Sequence, residues 1–160
     1  MTVKLTDQEI ADLISERKPL PTDFAERLNS FKDKYNHRES ELEVTGVKRS
    51  KFIIIIRQNK SNPFDFSVIL AFRIPGSNVI FRLRRYNGKS HRHRNKIENA
   101  LLNRTYHVHN ATERYQQNGF KEEDFATETD RYADINGALM CLLQECNFTN
   151  PNGNWLTKYI

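Results

Sequence analysis

Only two cysteines, Cys141 and Cys146, occur in 160 residues, too few for the disulfide framework that holds many small secreted domains together. Both fall in the run MCLLQEC, which reads as helix, where a separation of five puts the sulfurs on different faces and argues against a bridge. They are expected as buried thiols. No apolar run approaches the ~18 residues a membrane helix needs. There is no charged-then-apolar leader and no lipidation signal, so a cytoplasmic protein with no membrane partner is expected. Internal repeats and low-complexity tracts are missing too. With 38% apolar and 28% charged residues, the chain has the balance of a folded domain rather than a disordered one, and its length suits a single domain that buries a core without staples.

Another scarcity is local. Residues 81–95, FRLRRYNGKSHRHRN, hold six arginines or lysines, two histidines and no carboxylate. From Phe81 to Arg114 nine basic residues stand against two acids, Glu98 and Glu113. That window is +7 in a chain of +5, which leaves −2 for the remainder. A basic island on a slightly acidic body points to local capture of a polyanion, nucleic acid above all. The candidate phosphate contacts are Arg82, Arg84, Arg85, Lys89, Arg92, Arg94, Lys96 and Arg104, with Tyr86 and Tyr106 as stacking faces for unpaired bases.

The periodicity predicts an α+β fold: two N-terminal helices, an about five-stranded, mostly antiparallel sheet, and a C-terminal amphipathic helix packed on it. Residues 1–37 are assigned to the helical pair, 38–110 to the sheet, 111–148 to the C-terminal helices and 149–160 to a terminal arm tied down by Trp155. Thr6 and Glu9 stand in capping-box spacing before Ile10, Leu13 and Ile14, predicting a helix over 7–17. Thr22 is placed to cap a second helix whose Phe24, Leu28, Phe31 and Tyr35 recur every three or four residues. The runs ELEVTGV, KFIIIIRQ, FDFSVILAF, NVIFRLRRY and LLNRTYHVH are rich in β-branched or aromatic residues and separated by the turn signals SNP, PGSN and NGK. Residues 52–56 are apolar on both pleat faces and belong in the sheet centre, covered on each side. In NVIFRLRRY, Val79, Phe81 and Leu83 alternate with Ile80, Arg82 and Arg84, one face buried and the other turning basic. Asn110 and Glu113 are placed to cap a short helix, and Ile135, Ala138, Leu139, Leu142, Leu143 and Cys146 mark the helix that covers the sheet.

Four of the five histidines form two H-x-H pairs, His91 with His93 and His107 with His109. In extended chain such residues share a face, an arrangement that suits metal ligation or acid–base work. Seven surplus positive charges oppose a divalent cation, so neither a metal nor a cofactor is expected. The same charge keeps an imidazole neutral, able to take a proton from a ribose 2′-hydroxyl. A second histidine or a tyrosine then protonates the leaving 5′-oxygen, and arginines stabilise the charge on the phosphorane. With 79–86 and 102–109 as neighbouring antiparallel strands, the two pairs stand roughly 20 Å apart unless the intervening loop folds back. A single-pair site at His107 and His109 is therefore expected, with Tyr106, Asn110 and Glu113 close by at a strand-to-helix junction. Read without chemistry, the same residues are alternating polar positions of a strand followed by a helix cap.

The strings RRYNGKSHRHRN, YHVHNATERYQQNG and TDRYADINGALMCLLQECNF, over about residues 78–148, resemble a family of small bacterial and phage-associated domains of unknown function. More loosely, the basic strand, the G-x-S-H-x-H turn and the later H-x-H are similar to the TumE-like ribonuclease toxins of toxin–antitoxin modules. That resemblance implies RNA cleavage involving His91, His93, His107 and His109 with arginine support, and a neutralising antitoxin partner. Three functions stay open: a metal-independent ribonuclease of toxin type, a metal-dependent enzyme using the histidine pairs, or a non-catalytic binder. The binder is either a nucleic-acid-binding regulator or a phage-encoded inhibitor filling the nucleic-acid channel of a defence complex.

Overall fold

In the computed structural model, which describes residues 3–160, four helices and a seven-stranded antiparallel sheet make an α+β fold. Helix α1 (Asp7–Ser15) starts on the expected capping box, with the Thr6 hydroxyl accepting from the Glu9 amide and the Glu9 carboxylate accepting from the Thr6 amide. It ends two residues short of Arg17, because Glu16 turns extended and Lys18 is drawn inward to open β1 (Lys18–Pro19). Helix α2 is only Phe24–Leu28. The predicted helical spacing breaks down after Leu28, since residues 32–34 form β2 (Lys32–Lys34), which turns through Tyr35 into β3 (His37–Thr45). Tyr35 has a left-handed φ of 63° and is 91% exposed, so its place in the pattern is a turn position and not a core one.

Lys18 is the least expected core residue, with no exposed surface. Its ammonium donates to the carbonyls of Ile14, Glu16 and Cys146 at 2.7–2.8 Å and stands 4.5 Å from the Phe52 ring centre. It thus joins the C-terminal ends of α1 and α4 (Ile135–Glu145), where carbonyls have no intrahelical partner and a cation is favoured. Burial pulls its pKa down to about 8. Lys18→Met, which keeps the stem and removes the donors, is expected to cost about 3 kcal/mol or more, because three carbonyls lose their donor, those of Glu16 and Cys146 in buried surroundings. Urea unfolding checks this.

The large sheet runs β10 (Phe125–Glu128), β9 (His107–Asn110), β6 (Ile80–Asn87), β5 (Phe66–Arg73), β4 (Lys51–Asn59), β3, β2. One face packs on the helices around Leu42, Ile54, Val68, Leu83, Leu139 and Leu142. Residues 52–56 are buried on both faces as expected, but the second face has no apolar layer over it. A small cluster of Ile53, Ile55, Ile69 and Ala71 is flanked there by the ion pairs Arg57–Glu39 and Arg73–Glu43, whose side-chain stems shield apolar surface while their heads stay wet.

LLNRTYHVH is not one strand. Arg104 has φ 54° and divides it into β8 (Ala100–Asn103) and β9. β8 pairs with β7 (Arg92–Asn95) as a separate hairpin, while β9 pairs with the end of β6. Helix α3 (Glu113–Gln117) is capped by Thr112 instead of Asn110. Strand β10, which lay in the stretch assigned to helices, completes the sheet edge. The terminal arm crosses back to Phe24, whose ring meets Trp155 at 6.3 Å and Tyr159 at 5.3 Å; β11 (Phe148–Thr149) pairs parallel with β1. Both cysteines are free, Cys146 buried and Cys141 only partly so. No helix among the described residues is long and apolar enough to cross a membrane.

Candidate active site

A bulge in β6 decides where its arginines go. Arg82 is paired with Ala71 and Arg84 with Leu70, so Leu83 is the extra residue. Arg82 and Arg85 consequently share the uncovered face with Ala71 and Ile69, whereas Arg84 turns to the helix-covered face. There its guanidinium stands 3.8 Å from Glu145, with Tyr86 and Cys146 alongside. The predicted alternation of a buried and a basic face therefore holds only as far as Arg82. Tyr86 is fully buried, its hydroxyl donating to Glu145 at 2.8 Å; it offers no face to a nucleobase.

The β9 register sets Arg85 across from His109 and Asn87 across from His107, so both imidazoles emerge on the uncovered face, at the C-terminal end of β6. The β7–β8 hairpin folds back over them. Along β7, Arg92 and Arg94 are exposed while His93 is half-buried and Asn95 buried, the two-residue alternation of a strand whose inner side lies on the sheet. Asn95 clips the hairpin to β10: its amide donates to the Ala126 carbonyl at 2.7 Å and its Oδ1 accepts from the Ala126 N–H at 2.8 Å. Lys96 pairs with Asp124, and Glu98 with Arg114 and the Tyr115 hydroxyl, on the same hairpin.

The four imidazoles that strand geometry separates by roughly 20 Å meet because of this fold-back. His93 lies 4.6 Å from His109 and 5.9 Å from His107, ring centre to ring centre, and His91 lies 5.4 Å from His107. His107 and His109 are themselves 5.1 Å apart. The HVH pair forms the floor, with His107 fully buried and His109 nearly so, and His91 is the exposed member at the mouth.

Hydrogen bonds fix the floor tautomers. His107 Nδ1 donates to the Thr105 carbonyl and His109 Nδ1 to the Glu123 carbonyl, both at 2.8 Å. His93 Nε2 lies 3.1 Å from Asn95 Oδ1; that oxygen can only accept, so Nε2 carries the hydrogen and Nδ1 keeps its lone pair. Burial, assisted by the neighbouring imidazoles and Arg85, pulls the His107 pKa down to about 4 and that of His109 to about 2. Both are neutral at physiological pH. Beside them Arg85 and Arg82 converge on the buried carboxylate of Glu123, which offsets their charge, while Arg85 Nε keeps a donor with no partner.

The remaining candidates divide. Five of the nine cations in the basic window face an acid: Arg82, Arg84, Arg85, Lys96 and Arg114. Lys89, Arg92, Arg94 and Arg104 are exposed without one among the described residues. Arg104 bonds the Ser90 carbonyl at the hairpin base and Arg94 bonds Asn99. The free charge therefore rides on the hairpin and its base, not on a continuous sheet face. Glu113 accepts from the Asp7 amide and Gln117 and links α3 to α1; it does not engage an imidazole. Tyr106 donates its hydroxyl to the Ala133 carbonyl and packs on Tyr132. Asn87, Asn95 and Glu123 are site residues that the sequence reading missed. Asn95 was within reach of it, sharing the inner face of RHRN with His93, whereas nothing in KEED singles out Glu123.

Among the described residues no three or more His, Cys, Asp or Glu side chains are arranged to hold a metal ion. Comparison of the chain with protein-family models, curated proteins and solved structures finds no match.

Proposed function

We propose that the chain binds RNA and cleaves it without a metal, as a small ribonuclease of toxin type. The observation that carries this reading is the convergence of four imidazoles beneath a cationic hairpin. His93, with Nε2–H held by Asn95, accepts the ribose 2′-hydroxyl proton at Nδ1. The 2′-oxygen bonds to phosphorus, the P–O5′ bond breaks, and His91 at the mouth gives a proton to O5′. The products are a 2′,3′-cyclic phosphate and a 5′-hydroxyl. The Arg85 side chain, part-exposed beside the imidazoles, supplies positive field for the charge that builds on the phosphoryl oxygens. His107 and His109 act as positioning residues, because neutral buried rings hold the upper pair without adding repulsion. A toxin-type role brings a protein partner with it, an antitoxin that covers the histidine mouth.

The second reading, a non-catalytic nucleic-acid binder or an inhibitor of a defence complex, is favoured by the four exposed hairpin cations, which serve binding with or without chemistry. Labelled single-stranded RNA incubated with the purified protein, with and without chelator, separates the possibilities. Cleavage that survives chelation is expected. Cleavage lost on chelation means a metal enzyme, and retention without cleavage means a binder.

A further inference from the structure

A cleft of about 720 Å³ opens beside the imidazoles, at the ends of β9 and β10, and the chemistry proposed above leaves it unused. Its lining combines three cations, Lys89, Arg104 and Arg131, with two carboxylates, Glu128 and Asp130, and includes Thr105 and Tyr106. It adjoins the histidines at two points. Thr105 lines the cleft, and its carbonyl takes the hydrogen of His107 Nδ1. Glu128 lines it too, and is the cross-strand partner of His107 in the β9–β10 ladder, so the two side chains leave the same face of the sheet as close neighbours.

Several polar groups in the cleft are unspent. Thr105 Oγ1 is buried with no hydrogen-bond partner. Glu128 and Asp130 take no part in the ion pairs of the described residues, although Arg131, the next residue along, is engaged with Glu145. Lys89 extends over the Tyr106 ring, 5.3 Å from its centre. A cleft with cations, free carboxylates and an aromatic wall is matched by a ligand that carries an anion at one end and hydrogen-bond donors on a planar ring at the other. A nucleotide fits that description.

We propose that this cleft is the subsite for a guanine base of the RNA, with the Glu128 carboxylate accepting from N1–H and the N2 amine. The proposal rests on the RNA-cleavage reading and adds to it the base next to the scissile phosphate. An ionised carboxylate has acceptors only. Guanine alone among the common bases presents two adjacent donors on its Watson–Crick edge. Adenine and cytosine set an amine beside an acceptor nitrogen, and uracil flanks one N–H with two carbonyls, so each turns an acceptor towards the second carboxylate oxygen. Glu128 is exposed, so discrimination comes from the bidentate pair that only guanine completes and from the acceptor that each other base turns against the carboxylate. Lys89 and Arg104 supply charge for the attached phosphate, and Tyr106 supplies an aromatic wall.

The test reads binding without turnover. Guanosine 3′-monophosphate and the adenosine, cytidine and uridine 3′-monophosphates are each titrated into the full chain by calorimetry, with amide chemical shifts at Thr105 and Glu128 locating the site. Guanosine is expected to bind at least about tenfold more tightly than the others, in line with a bidentate pair. Glu128→Gln is expected to bring it down to their level with Tm unchanged. Equal affinity for all four nucleotides, or a guanosine preference that survives Glu128→Gln, overturns the assignment. If guanosine is preferred and RNA stays intact, the subsite stands and the ribonuclease reading falls. If RNA is cut alike at every nucleotide, the ribonuclease reading stands and the subsite falls.

Discussion

His91→Ala and His93→Ala are each expected to slow RNA cleavage by on the order of a hundred- to ten-thousand-fold, the usual contribution of one positioned acid or base. Binding should change little, since Lys89, Arg92, Arg94 and Arg104 remain exposed on the hairpin and its base. The two histidines are singled out by access and tautomer. His91 is exposed, and His93 is half-buried with its hydrogen committed to Asn95. The floor pair behaves differently when altered. His107→Ala or His109→Ala opens a hole under the hairpin, so lower activity there comes with looser packing and a lower Tm. Pairing each rate with the slope of log affinity against log salt separates the effects. That slope counts neutralised phosphates, and it should stay constant through the histidine variants and drop when Arg92 or Arg94 is replaced. A His91→Ala, His93→Ala double variant that cuts RNA at the original rate would remove the imidazoles from the chemistry.

Acid is expected to undo the fold through the same cluster. His107 and His109 are held near pKa 4 and 2 by burial, against an ordinary value of about 6.5. The unfolded chain therefore takes up a proton at each ring before the folded chain does, and stability falls as pH drops below about 6.5. Above that value this contribution is fully present. At about pH 4.5 the two rings together remove on the order of 5 kcal/mol, comparable with the whole stability of a typical domain. The site gives this loss little relief. Arg82 and Arg85 already engage Glu123, and an imidazolium at either position meets Arg85 and the other histidines. Urea unfolding at a series of pH values checks the slope. His109→Gln, whatever its stability at neutral pH, should lose less between pH 7 and 4.5 than the unaltered chain does, by on the order of a few kcal/mol. An unchanged slope would mean that the floor histidines are protonated in the folded protein.

Much of this architecture is legible in local pattern. The capping box at Thr6 and Glu9, the doubly apolar run at 52–56 and the covering helix at 135–145 rest on neighbours within a few residues, and all three are present. The failures share a different origin. Phe31 and Tyr35 continue a helical spacing that the β2–β3 hairpin overrides. The Leu83 bulge reverses the side taken by Arg84, and no local signal marks a bulge in a strand of otherwise regular alternation. The histidine cluster depends on the left-handed turn at Arg104, which detaches β8 from β9 and lets the hairpin return. An arginine is an unusual residue for a positive φ, so the run LLNRTYHVH reads as unbroken strand. Charge was misleading for a further reason: a local excess of cations says nothing of acids that arrive from distant segments, and Glu123, Asp124 and Glu145 come from beyond the window.

The measurement closest to the central claim is the chemistry of the RNA ends left after incubation with the protein in chelator, read by mass spectrometry. Transfer through a 2′-oxygen at the histidine cluster predicts 2′,3′-cyclic phosphate and 5′-hydroxyl termini, with none formed from RNA carrying 2′-O-methyl groups. Fragments ending in 5′-phosphate, or equal cutting of the methylated strand, would contradict it.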